Sequence, residues 1–174
     1  MTQELRRRAF RLLRLVPRPV LERVVRLNSS RYTLGAACLI EEDGQVLVLR
    51  AAYRRNWGLP GGLIDRREAP ETGARREVRE EVGLDVELIG EPIVLVDVRH
   101  RLVDFLYRAR LAAGATAADA RPASSEIEEV RWIASSDIDR LAGDTRRLED
   151  KLRLYAEAPS GRVVVESARR ARGV

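Results

Sequence analysis

Three glutamates set the strongest constraint on this chain. Glu77, Glu80 and Glu81 lie in a stretch that Pro70 opens and Gly83 closes. Proline in a first turn and glycine just past the last turn punctuate a short helix, here read over residues 70–82. At i, i+3 and i+4 the three carboxylates project from one face of that helix. Like charges so placed repel, which costs stability unless a cation sits among them. Hard divalent cations take oxygen ligands, and Mg²⁺ sites combine carboxylates with substrate phosphate oxygens. Arg76 stands where it can pair with a neighbouring carboxylate and orient it. Just upstream, Gly61 and Gly62 allow a close backbone approach or a positive φ, so a loop carbonyl can join a metal shell. Taken alone, the glutamates read more readily as a solvated helix face, since charged helix surfaces are common.

The rest of the chain bounds what this helix belongs to. Its 174 residues, 45% of them apolar, suit one ordinary domain. No apolar run approaches the length needed to span a bilayer. Arg6, Arg7, Arg8, Arg11 and Arg14 interrupt the N-terminal apolar stretches, which is not the layout of a secretory signal, so a cytoplasmic protein is expected. Cys38 is the only cysteine and lies in an apolar run, where a buried structural thiol is the natural reading. The net charge of +5 is unevenly placed: residues 1–31 carry nine arginines against Glu4 and Glu22, and the remainder is mildly acidic.

Residues 3–16 and 18–28 read as two amphipathic helices separated by Pro17 and Pro19. Tyr32–Glu41 and Gln45–Arg50 read as strands joined by an Asp43-Gly44 hairpin turn. A loop follows at 54–62, then the 70–82 helix, then strands over Val86–Val98 and Leu102–Leu111. Residues 112–125 read as loop, Ile127–Ile133 as strand, Ser136–Leu141 as a short helix and Thr145–Ala156 as a longer one. Mostly hairpin-joined strands with interspersed helices suggest a mixed-sheet α/β domain rather than a regular βαβ array.

The spacing from Gly62 to Leu84 resembles the Nudix box. That pattern runs Gly, five residues, Glu, seven residues, Arg-Glu, an aliphatic, any residue, Glu-Glu, any residue, Gly, an aliphatic. Gly62, Glu68, Arg76, Glu77, Val78, Glu80, Glu81, Gly83 and Leu84 meet every fixed position. The preceding Trp57-Gly-Leu-Pro-Gly-Gly62 also looks like the family's approach to the box, and the resemblance covers roughly Arg31 to Ala156. One departure is Arg67, where many members carry glycine before the first glutamate, so the local turn is expected to differ.

This resemblance implies an α/β fold of the α+β type: an α/β/α sandwich around a mixed β-sheet, with an N-terminal helical extension. Residues 1–30 would form a basic amphipathic helical arm, 31–157 the hydrolase domain and 158–174 a basic C-terminal tail. The resemblance also implies a hydrolase that uses Mg²⁺ or Mn²⁺ to cut a diphosphate bond in a small nucleotide substrate. Glu77, Glu80, Glu81 and the Gly61 carbonyl would hold the metal, with Glu77 either ligand or base. Gly62, Glu68, Arg76 and Gly83 would shape and orient the loop–helix–loop.

The family often draws a further glutamate from a later loop. Glu126, six residues before Trp132, matches it, with Glu128 and Glu129 as competitors. Glu77, Glu80 and Glu126 are thus the candidates for the chemistry. Arg50, Arg54 and Arg55 are candidates to grip phosphates as charge-assisted donors. Trp57 is either a base-stacking residue or a loop anchor, His100 reads as an incidental turn residue, and Trp132 reads as core. The basic arm reads first as a helical cap or homodimer partner, with an anionic membrane surface or RNA phosphates as alternatives.

Among substrates, a nucleoside diphosphate linked to another group, such as ADP-ribose or a nucleotide sugar, ranks first. (d)NTPs, oxidised nucleotides among them, and 5′-RNA ends follow. A Nudix module that binds nucleotides without cutting them is the reading from another class. Such modules usually have substituted metal glutamates, and here all are present.

Overall fold

The computed structural model describes residues 17, 31–143, 145–157 and 161–166. The helices expected over 3–16 and 18–28, and every role read for the arm, lie outside the described residues. Eight strands and two α-helices follow one another as β1 (Thr33–Glu42), β2 (Gln45–Ala51), β3 (Trp57–Gly58), β4 (Gly61–Leu63), α1 (Pro70–Val82), β5 (Val86–Asp97), β6 (Leu102–Leu111), β7 (Ile127–Ala134), α2 (Arg146–Glu157) and β8 (Val163–Glu166). Two 3₁₀ turns, Ala117–Asp119 and Ser135–Arg140, flank β7.

The strands form one mixed sheet in the order β3-β2-β1-β6-β5-β8, with β4 also paired to β1 and β7 to β2. The β1–β6 and β5–β8 pairs are parallel and the others antiparallel. β1 is the hub, and its Gly35–Ile40 run is buried on both faces, as a continuous apolar strand between two layers must be. Alternate β1 residues sort the core. Ala36, Cys38 and Ile40 pack with Ala74, Val78 and Val82 of α1, while Ala37 and Leu39 pack with Leu148 and Tyr155 of α2. One helix on each face gives the expected sandwich. No helix among the described residues is long and apolar enough to cross a membrane.

Most expected elements lie within one or two residues of their observed bounds. The β1–β2 turn has positive φ at both Asp43 (47°) and Gly44 (76°), which matches the twist of the flanking strands. Three segments differ. The 54–62 loop contributes β3 and the start of β4, because edge pairing to β2 and β1 overrides the poor strand propensity of glycine. The 112–125 loop contains a 3₁₀ turn closed by a Thr116–Asp119 capping box. The segment read as a tail supplies β8, where Val164 packs on the core while Val163 and Val165 are exposed.

Cys38 is fully buried and its thiol is pushed up to about 12 by burial, so it is the inert thiol expected. His100 sits half-exposed in the β5–β6 turn against Asp97. Trp132 is partly buried against the core and its Nε1–H donates to the Ala117 carbonyl at 2.9 Å.

The departure at Arg67 has a local consequence. The Glu68 N–H donates to the Asp65 carbonyl at 3.1 Å, closing a turn in which Arg67 takes a φ of 67°. A side chain in that region costs roughly 1–2 kcal/mol, part of which glycine returns as unfolded-chain entropy. Arg67 is exposed, so Arg67→Gly is expected to stabilise the protein by about 0.5–1 kcal/mol. For a domain of this size that is a Tm rise of roughly 1–4 °C, with turnover unchanged. A fall in Tm on thermal melting would mean that the arginine's contacts outweigh the strain.

Candidate functional site

The site is built where α1 faces β4. Ala74, Val78 and Val82 bury one stripe of α1 against the sheet. Glu77 and Glu81 each precede a buried valine and fall along the margin of that stripe, while Glu80 lies farther round with 57% of its side chain exposed. β4 runs beside β1 with Gly61 opposite Ala37 and Gly62 opposite Ala36. Gly61 requires glycine, and the absence of a side chain at Gly62 leaves room for the Glu77 carboxyl. At Gly61, φ is 151° and a Cβ would lie 2.3 Å from the Ala36 carbonyl oxygen. At Gly62 it would lie 2.6 Å from the Glu77 carboxyl. The bare backbone can therefore lie directly against the acids, and the Gly61 N–H donates to Glu81 Oε2 at 2.7 Å.

Arg76 ties the loop to the helix. Its Nε and Nη2 donate to the two oxygens of Glu68, each at 2.9 Å, and Nη2 also donates to the Leu63 carbonyl at 2.9 Å. Nη1 donates to Glu77 Oε1 at 2.9 Å and to Glu80 Oε2 at 3.0 Å. All five donors of the planar guanidinium are used, an arrangement an ammonium cannot copy. The Asp65 N–H gives Glu68 a further donor at 2.9 Å. Arg76's bonds, with that N–H, hold the Glu68 carboxyl down at about 2. Two residues of the network are pulled the other way. Burial pushes Glu77 up against the bond from Arg76. Burial pushes Glu81 up to about 7; the Gly61 N–H opposes the rise, while the charges of Glu77 and Glu126 add to it.

A second segment is laced to the end of α1. Gly83 caps the helix in a left-handed conformation with its N–H on the Arg79 carbonyl. The Ala123 N–H donates to the Glu81 carbonyl at 3.0 Å and the Arg121 N–H to the Val82 carbonyl at 3.1 Å, satisfying acceptors that a helix C-terminus leaves open. These contacts bring exposed Glu126 within electrostatic reach of Glu81, and Arg54 acts on the same carboxyl with the opposite sign. Nothing in the composition of residues 112–125 foretold the lacing, because it uses backbone groups alone.

Not every expected residue joins this set. Trp57 is 2% exposed, packs in the core and donates its Nε1–H to the Ala142 carbonyl at 3.0 Å. With its ring faces covered it fits the loop-anchor alternative, and its place among the substrate-binding candidates is corrected. Arg50 is engaged by Glu128 and Glu129 at 3.0 and 2.9 Å, so its charge is spent inside the protein and not offered to a phosphate. Arg54 and Arg55 are exposed.

Among the described residues, no three acidic, histidine or cysteine side chains are already drawn around one point. The carboxylates of Glu77 and Glu80 are met by Arg76 and that of Glu81 by the Gly61 N–H. The donor set still suits a hard divalent ion, since all the candidate donors are oxygens and burial raises Glu77 and Glu81, the condition a cation relieves.

The Glu68–Arg76 pair makes stability depend on pH. A carboxyl held below its ordinary range stabilises the fold fully above about pH 4.5, and that stabilisation is lost as pH falls through about 2. Glu68→Gln is expected to lower the denaturant midpoint at pH 7, with the gap to wild type closing toward pH 2. An equal gap at both pH values would mean that the pair does not act through its charge.

Comparison with known proteins gives the same outline. A family model described as NUDIX domain matches residues 31–153. A MutT-like protein of Streptomyces ambofaciens is 33% identical over 108 residues, 62% of this chain and 67% of that protein. A CMP-5'-(N-acetyl-N-hydroxy-3-aminopropyl)phosphonate hydrolase of Streptomyces rubellomurinus is 30% identical over 105 residues, 57% of this chain and 50% of that protein. The matched stretch thus spans half to two thirds of these relatives. The crystal structure of a NUDIX hydrolase from Nitrosomonas europaea superposes with a TM-score of 0.66 at 26% identity, covering 80% of this chain and 81% of that one. With its box complete, its sandwich formed and the family model spanning most of its length, the chain belongs to the Nudix family.

Proposed function

We propose that this chain hydrolyses the diphosphate bond of a nucleotide joined to a second group, with Mg²⁺ or Mn²⁺ as cofactor. The observation that carries this reading is that Glu77 and Glu81 lie against the Gly61–Gly62 backbone while the fork of Arg76 holds Glu77 and Glu80 beside them. Glu77, Glu80, Glu81 and the Gly61 carbonyl are the groups to hold the ion. When bound, it neutralises phosphate oxygens and lowers the pKa of water.

The remaining steps belong to the chain. Glu126 lies within electrostatic reach of Glu81 yet outside the Arg76 network, which leaves it free to take the proton from the water that attacks one phosphorus. The new P–O bond forms as the bridging P–O bond breaks, and two phosphate-bearing fragments leave. Exposed Arg54 and Arg55 offer charged donors to the diphosphate oxygens. Glu68 and Arg76 keep the acids in place without touching substrate. The ranking of a nucleotide joined to another group is supported by the Streptomyces rubellomurinus relative, whose name gives its substrate as a cytidine nucleotide carrying a phosphonate.

The test is product release from a panel of ADP-ribose, nucleotide sugars, dinucleotides and (d)NTPs, with Mg²⁺ and with Mn²⁺, for wild type and Glu80→Gln. Metal-dependent turnover is expected on a linked nucleotide, falling at least about a hundredfold in the variant. Turnover confined to (d)NTPs would move the substrate class. Folded protein that binds nucleotides and cuts none of the panel would make this a binding module.

A further inference from the structure

We propose that Arg50 is a positioning residue, which fixes the β7 bulge and thereby the face of the sheet from which Glu126 emerges. This rests on the reading of Glu126 as the base. β7 pairs with β2 in regular antiparallel register from Gln45 opposite Ala134 to Arg50 opposite Glu129, and then jumps to Ala51 opposite Ile127. Glu128 is the extra residue. A bulge of this kind bends its strand and re-aims the side chains beyond it, and such bulges gather next to active sites.

Arg50 selects this register. In a regular strand, adjacent residues point to opposite faces, and one guanidinium could not take both Glu128 and Glu129. The bulge brings both carboxylates to the side of Arg50, where Nη1 meets Glu128 Oε2 at 3.0 Å and Nη2 meets Glu129 Oε2 at 2.9 Å. Without the fork Glu128 would lose its partner at the irregularity, and Glu129 would keep only its bond from Arg131. Arg50 is itself held, with its guanidinium 5.7 Å from the ring centroid of buried Trp57.

Residues before the bulge inherit its register. Ile127 is buried, and the Ala52 N–H donates to the Glu126 carbonyl at 2.8 Å. On the other side, Ala123 is bonded to the Glu81 carbonyl at 3.0 Å. Glu126 therefore hangs between an anchor on the catalytic helix and an anchor at the bulge. A one-residue slip that removed the bulge would turn every side chain before it to the opposite face.

The experiment is a double-mutant cycle on the full chain. kcat and KM are measured at saturating Mg²⁺ for wild type, Arg50→Gln, Glu126→Gln and the double variant. The substrate is ADP-ribose, or the fastest compound of the panel above if that is not cut, with a melting curve for each protein. Arg50→Gln is expected to lower kcat about tenfold to a hundredfold, as a misplaced group does, with KM within about twofold. In the Glu126→Gln background it should cost nothing further. Arg50→Lys, which keeps the charge but not the fork, should behave like Arg50→Gln and serves if that protein does not fold. Multiplying losses in the double variant would overturn the inference alone, as would a raised KM with kcat intact, the mark of a phosphate-gripping arginine. Full activity of Glu126→Gln would overturn both this inference and the base reading, while wild type inactive on the whole panel would overturn the proposed hydrolase.

Discussion

The five-donor fork of Arg76 is the interaction on which the rest of the site depends. The glutamates it serves come from two places, Glu68 in the loop before α1 and Glu77 and Glu80 on α1 itself. Its further bond to the Leu63 carbonyl reaches the strand that carries Gly61 and Gly62. Loop, strand and helix are thus fixed to one planar cation. The fork also divides the carboxylates electrically. Glu68 receives the bidentate pair and is held down, while Glu77 and Glu81 face inward and are pushed up by burial. Glu68 is thus separated from Glu77 and Glu81 by environment, since their chemistry is identical.

The sheet provides the rigid frame for this arrangement. β1 is buried on both faces and pairs with β2, β4 and β6, so the glycine strand is set by the most constrained element of the fold. Positioning a site on such an element holds its geometry more closely than a free loop would. The other side of the site is set by backbone bonds between the 121–123 segment and the last carbonyls of α1, which makes helix capping and the approach of Glu126 one structural event.

Much of this was legible in the sequence where residue type and spacing carry the physics. Pro70 and Gly83 bound the helix, Asp43-Gly44 marked the hairpin, and the i, i+3, i+4 glutamates with the upstream glycines marked the site. Long-range pairing was less legible. β4 looked like loop because its glycines speak against a strand, and only the pairing to β1 makes it one. β8 lay in a segment read as tail, where a short valine run needs β5 beside it to become a strand. Arg50 and Trp57 show the same limit at the level of single residues. Both types suit a nucleotide site, but their roles are decided by neighbours far along the chain, Glu128 and Glu129 for one and Ala142 for the other.

The most direct measurement of the central claim is Mn²⁺ binding by electron paramagnetic resonance to wild type, Arg76→Lys and Arg79→Lys. Arg76 orients the acids without being a ligand, and loss of such a partner typically costs about 10–100-fold in metal affinity. Arg79 lies on the same helix but pairs outward with Asp85. The expected result is a loss of that size in Arg76→Lys with Arg79→Lys unchanged. Wild-type affinity in Arg76→Lys would contradict the claim that this fork assembles the site.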